Sequence, residues 1–248
     1  MSLFGDYMKI IFIRHGEPDY VNDSLTENGF KEAESLAKRI SKLDVKQFYC
    51  SPLGRAQKTA EPTLKLMGRT AITYDWLMEF PGHIVLPENG KKCIPWDLLP
   101  EYWTKQKQYY DKDEWFNVPL MQTGNVKEVY DDVCKNLDKL IAEYGYVRDG
   151  NLYRVEKESR DTIVIFCHFG IECVMLSHIL GLSPLVLWQG FVALPSSVTT
   201  IITEEREEKT AYFRCNGFGD VSHLYADGIE PSFSARFCET FSNKDERH

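Results

Sequence analysis

Three apolar runs in this chain lead directly into residues that could do chemistry. "KIIFI" (9–13) is followed by Arg14 and His15 in "FIRHGEP", and "TIVIFC" (162–167) is followed by His168. "KQFYC" (46–50) opens into "SPLGRAQKTA" (51–60), which carries Arg55. Arginine and histidine are awkward at the edge of a core unless something there needs them. If the three runs are parallel strands of one sheet, their ends gather at one edge, where α/β sheets hold ligands. Two guanidinium groups and two imidazoles there suit a tetrahedral oxyanion. The guanidinium fork matches phosphate oxygens, and a neutral imidazole can attack phosphorus.

The elements that must position these groups alternate between strand and helix patterns. "LTENGFKEAESLAKRI" (25–40) places Phe30, Ala33, Leu36, Ala37 and Ile40 on one helical face, with Thr26 as the N-cap. A helix is expected around "LGRAQKTA", ended or kinked by Pro62. "AITY" (71–74) reads as a short strand. "NVKEVYDDVCKNLDKLIAEYG" has a clear helical period in Val126, Val129, Val133, Leu137, Leu140 and Ile141. "IECVMLSHILG" reads as a mostly buried helix stopped by Gly181. "SSVTTIIT" and "TAYFRC" look like paired strands joined by the solvated turn "EEREEK".

Near-continuous apolar strands separated by helices imply a three-layer αβα sandwich on a mostly parallel mixed sheet. One domain spanning 1–248 is expected. Residues 81–125 stand apart: they are proline-rich, hold three of the five tryptophans and show no period. They form either a cap over the C-terminal edge of the sheet or a surface insertion that packs on itself.

Composition narrows the classes. The chain has 248 residues, 43% hydrophobic and 27% charged, as in an ordinary globular protein. Its net charge of −8 argues against a nucleic-acid binder, while a local positive pocket for a small anion stays open. No apolar stretch approaches the roughly 20 residues of a membrane span. The start "MSLFGDYMK" lacks the pattern of a secretion signal. The seven cysteines (50, 93, 134, 167, 173, 215, 238) contain no C-x-x-C pair and suit free thiols in a reducing compartment, so a cytoplasmic location is expected.

Taken in order, the motifs resemble those of the histidine phosphatase superfamily, the phosphoglycerate-mutase-like fold. The matching segments are "RHGE" (14–17), "LTENG" (25–29), "SPLGRAQKTA" (51–60), "WLMEF" around Glu79, "CHFG" (167–170), "SSVT" (196–199) and "GDVSHL" (219–224). The resemblance implies that His15 is the nucleophile and that Arg14, Arg55 and His168 hold the phosphoryl oxygens. It implies that Glu79 protonates the leaving oxygen and then activates water. Asn22 would contact phosphate, although it lies one residue beyond the family's spacing. Two further departures are Phe169, where a small residue is usual, and Pro18 in place of the commoner threonine.

The implied activity is hydrolysis of small phosphorylated substrates without a metal or other cofactor, because arginines can meet the charge that metals meet elsewhere. The alternatives are a phosphoglycerate mutase and a non-catalytic phosphate-binding module. A mutase needs many basic groups around its mouth, yet the 81–125 segment has five lysines, six acidic residues and no arginine. A pure binder has no need of a nucleophile. Cys167 reads as a buried strand residue, and His83, His178 and His223 as structural.

Overall fold

The computed structural model describes residues 7–234 and 240–243; Cys238 and most of the N-terminal stretch lie outside the described residues. The first half of the chain contains β1 (Lys9–Arg14), β2 (Pro18–Asp19), β3 (Ser24–Leu25), α1 (Glu27–Ile40), β4 (Gln47–Cys50), α2 (Gly54–Met67) and β5 (Ala71–Thr73). Within the 81–125 segment are β6 (Ile84–Val85), β7 (Lys92–Cys93), α3 (Pro100–Trp103) and short 3-10 turns. Then come α4 (Val126–Ala142), β8 (Tyr146–Asp149), β9 (Leu152–Val155), β10 (Thr162–Cys167), α5 (Phe169–Leu180), α6 (Pro184–Gly190), β11 (Val198–Glu207), β12 (Thr210–Asp220) and α7 (Ser222–Ala226).

The main sheet has eight strands in the order β5-β4-β10-β1-β11-β12-β9-β8. β5, β4, β10 and β1 run parallel, whereas β11, β12, β9 and β8 are antiparallel to their neighbours. The antiparallel half is larger than the sequence pattern suggests, for two reasons. "EEREEK" is not an open turn: β11 and β12 run through it to a two-residue connection, with Lys209 at φ 58°. The β8–β9 hairpin has a polar outer face and little apolar alternation, and the "DGN" turn at 149–151 is its one clear signal.

Side chains alternate across the buried strands and build two cores. Ile10, Phe12, Ile163 and Ile165 face one layer with α4, α5 and α6, and Ile11, Ile13, Val164 and Phe166 face the layer of α1 and α2. Both faces of the parallel half are therefore covered, which is why its strands are apolar without interruption. Thr26 caps α1 through Gly29 N–H, and Leu36, Ala37 and Ile40 are buried as expected, but Phe30 is 40% exposed. α2 passes through Pro62 to Met67 and stops at Gly68 in the left-handed conformation. The hydrogen bond a proline removes would have ended on the carbonyl of Lys58, an exposed residue whose carbonyl water can serve.

Residues 81–125 do not pack only on themselves. Trp96, Leu98, Tyr109, Trp115 and Met121 join the same core as α5 and α6, with Trp115 edge-on to both Tyr130 and Trp188. Among the described residues, six cysteines are free thiols. No helix of the described residues is long and apolar enough to cross a membrane.

Candidate active site

Parallel pairing sets the geometry. Arg14 at the end of β1 is in register with Cys167 at the end of β10, so the next residues, His15 and His168, lie side by side. Their ring centroids are 5.1 Å apart, and both side chains are buried. Backbone bonds fix the loop around His15: its N–H donates to the Cys167 carbonyl at 3.1 Å, and Ser196 N–H donates to the His15 carbonyl at 2.9 Å. Ser196 does so from a left-handed conformation, φ 58°, with its hydroxyl paired to His223 Nε2. The "SSVT" and "GDVSHL" motifs thus support His15 from behind.

The proton on His15 can be placed. Nδ1 lies 2.8 Å from the Gly16 carbonyl oxygen, which can only accept. Nδ1 therefore carries the hydrogen and Nε2 keeps its lone pair. Burial, and then the neighbouring Arg14 and Arg55 charges, push the pKa of His15 well below its ordinary 6.5. The ring is neutral at neutral pH.

His168 is also held neutral, by burial first and then by His15, Arg55 and Arg14. Its Nε2 shares a hydrogen bond with Ser51 Oγ at 2.7 Å, and the same oxygen accepts from Leu53 N–H at 3.2 Å. The other nitrogen, Nδ1, has no hydrogen-bond partner among the described residues.

The arginines come from different elements. Arg14 is buried, donates through Nη1 to the Ala193 carbonyl, and lies 5.6 Å from the centroid of the Phe169 ring. The large residue at 169 thus packs beneath the guanidinium. Arg55, in the first turn of α2, bonds Asp23 Oδ1 through Nη1 at 2.8 Å. Asp23 also caps that helix, accepting from Gly54 N–H at 2.6 Å. It reaches there from a left-handed turn, φ 44°, in the small β2–β3 hairpin that Pro18 opens. Glycine is required at 54, because a Cβ there would lie 2.0 Å from the Asp23 carbonyl oxygen. Burial would raise the Asp23 carboxyl, but the α2 N–H groups and the Arg55 guanidinium together hold it below its ordinary value.

Glu79 follows β5 at the same sheet edge. Its Oε1 accepts from Phe80 N–H at 2.8 Å and from Ile171 N–H, in the first turn of α5, at 3.2 Å. Burial raises its pKa above the ordinary carboxyl value despite those donors and the two arginines. Asn22 has a different surrounding: it is exposed, and its amide donates to Asp19 Oδ2 at 2.7 Å. Its neighbour Asp23, not singled out from the sequence, is the residue that engages Arg55.

Two further groups carry no role in the sequence reading. Ser51 sits inside a quoted motif without one. Glu172 is buried in α5, its pKa raised to about 7 by burial, against the nearby Thr199 hydroxyl and the charge of Arg14. It lies in an apolar helical run where a lone carboxylate gives no periodic signal. His178 pairs with Asp138 at 2.9 Å. Among the described residues, no group of three or more His, Cys, Asp or Glu could hold a metal ion.

Comparison with known proteins agrees with this geometry. The sequence profile of the histidine phosphatase superfamily (branch 1) matches residues 10–85. A probable phosphatase of Schizosaccharomyces pombe is 24% identical over 238 residues, 89% of this chain and 97% of that protein. A 2,3-bisphosphoglycerate-dependent phosphoglycerate mutase of Thermoplasma acidophilum is 37% identical over 83 residues, 29% of this chain and 42% of that protein. Among solved structures, a histidine-to-alanine mutant of phosphoserine phosphatase from Entamoeba histolytica, in complex with phosphoserine, matches with TM-score 0.55 and 19% identity. The match covers 88% of this chain and 99% of that one. A mycobacterial glucosyl-3-phosphoglycerate phosphatase matches with TM-score 0.59 and 17% identity, over 86% and 99% of the two chains. By these likenesses the chain is similar to histidine phosphatases in sequence over residues 10–85, and it shares the fold of solved phosphatases over most of its length, with the two motif-bearing strand ends set side by side.

Proposed function

We propose that this protein hydrolyses phosphomonoesters in two steps, through a phosphohistidine at His15 and without a metal ion. The observation that carries the proposal is the state of His15: neutral, with its proton on Nδ1 and its lone pair on Nε2. In the first step Nε2 bonds to phosphorus and the ester P–O bond breaks. The Glu79 carboxyl gives its proton to the departing alkoxide. In the second step water attacks phosphorus, Glu79 takes up a proton from it, and the P–N bond breaks to release phosphate. Arg14, Arg55 and the His168 imidazole hold the phosphoryl oxygens and meet the charge of transfer.

The raised pKa of Glu79 suits an acid that must be protonated near neutral pH. Glu17, the carboxylate within the "RHGE" motif, is occupied: it accepts from the Thr26 hydroxyl and the Asn28 amide, both at 2.9 Å. Asn22 is left outside the cradle, its amide committed to Asp19. The small phosphorylated esters named for the solved relatives, phosphoserine among them, fit this chemistry as a class.

Glu79→Gln is expected to slow hydrolysis of an alkyl phosphate by roughly 10²–10⁴-fold and p-nitrophenyl phosphate far less, since nitrophenolate leaves without a proton. The pH dependence has a definite sign. His15 must be unprotonated, so activity falls as pH drops through its depressed pKa, below 6.5. Glu79 must be protonated, so alkyl-phosphate turnover falls as pH rises through its elevated pKa. That alkaline limb should be missing with p-nitrophenyl phosphate. Equal losses on both substrates would remove Glu79 from the role.

Asp23→Asn should lower kcat/KM by about fivefold, corresponding to about 1 kcal/mol for a partly exposed ion pair. Circular dichroism would verify an unchanged fold, and undiminished kcat/KM would show that Arg55 needs no clamp. Activity should also survive exhaustive EDTA treatment. Loss on chelation with recovery on added magnesium would contradict the metal-free mechanism.

A further inference from the structure

We propose that the cleft between the 81–125 segment and the end of α6 is the leaving-group subsite, and that it takes a flat, apolar, uncharged group such as a naphthyl or phenyl ring. With the hydrolysis proposed above, on which this rests, aromatic and arylalkyl phosphomonoesters become the preferred substrate class. The cleft has a volume of about 770 Å³ and is walled by Trp96, Leu99, Trp103, Trp188, Phe191 and Val192. That volume falls within the ~300–1,000 Å³ of small-molecule sites.

Two contacts tie the cleft to the phosphoryl cradle. At Gly170, two residues past His168, a Cβ would lie 2.7 Å from the Trp96 ring and 2.8 Å from Glu79 Oε1. The ring and the carboxylate therefore lean on the same helical turn, and only glycine lets both approach. On the other side, Ala193, which follows Val192, gives its carbonyl to the Arg14 guanidinium. A leaving group departing towards Glu79 thus enters between Trp96 and the 189–193 segment.

The chemistry of the walls selects the occupant. Trp188 has already committed its N–H to the Gly170 carbonyl at 2.9 Å, and Gln189 has committed its amide to the Pro95 carbonyl at 2.9 Å. The single charged residue on the walls among the described residues is an anion, Asp97, and no lysine or arginine joins it. A leaving group bearing a carboxylate or a second phosphate would meet no cation among the described residues of the walls. Leu99, Phe191 and Val192 are 64%, 41% and 40% exposed, so an apolar ring would cover surface that is now wet.

The test compares 2-(1-naphthyl)ethyl phosphate with ethyl phosphate on the full-length protein. Both expel a primary alkoxide, so their ratio of kcat/KM reports the subsite and not the acidity of the alcohol. The ratio should exceed roughly a hundredfold, and Trp103→Ala or Phe191→Ala should each cut it by roughly tenfold. Leu99→Asp, at an exposed position where folding is not at stake, should cut it as well. A ratio near one, a ratio untouched by all three variants, or a preference for 3-phosphoglycerate would overturn the subsite. Calorimetric titration with 2-(1-naphthyl)ethanol separates the two proposals. Binding weakened by these variants in a protein that turns over neither ester would support the cleft and overturn hydrolysis. Absence of binding would overturn the cleft whatever the catalytic result.

Discussion

Burial of two imidazoles beside two arginines is the constraint around which the rest of the site is arranged. Desolvation and the neighbouring guanidinium charges act in the same direction and disfavour a proton on either ring. The site is thus a pocket of positive potential that holds neutral bases, the state a nucleophile needs before an anion arrives. Burying cationic side chains this way is costly, and the cost is met locally. Arg14 has the Ala193 carbonyl and the Phe169 ring, and Arg55 has Asp23. The buried Glu79 and Glu172 carboxyls, both pushed towards the protonated form by burial, also lie near Arg14.

Much of this is legible in the sequence, because it depends on features that leave a local signal. A strand buried on both faces is an uninterrupted apolar run, and a residue that breaks polarity at its end marks the sheet edge. That is how Arg14, His15, His168 and Arg55 can be placed together, and the in-register pairing of β1 with β10 shows why. Thr26 and Gly181 mark helix boundaries through their own backbone chemistry.

What stays hidden depends on contacts between segments distant in the chain. Asp23 acts across a gap of 32 residues on Arg55, and nothing in its neighbourhood distinguishes it from Asn22. Glu172 looks like an interruption in an apolar helix until Thr199 and Arg14 are folded around it. The antiparallel half is underestimated from sequence because charge on a strand's exposed end resembles a loop, as in "EEREEK". The 81–125 segment has no period because short turns hold it together and its large aromatic residues lodge against α5 and α6. Its balance of lysines against acidic residues is consistent with the cleft beside it, whose described walls carry no lysine or arginine.

Rapid acid and alkaline quenching of the enzyme during turnover of a ³²P-labelled phosphomonoester, followed by peptide mapping, tests the central claim most directly. Phosphate on the imidazole of His15, labile to acid and stable to base, is the expected result. A protein that turns over normally while accumulating no phosphohistidine, or in which His15→Ala retains wild-type activity, would contradict it.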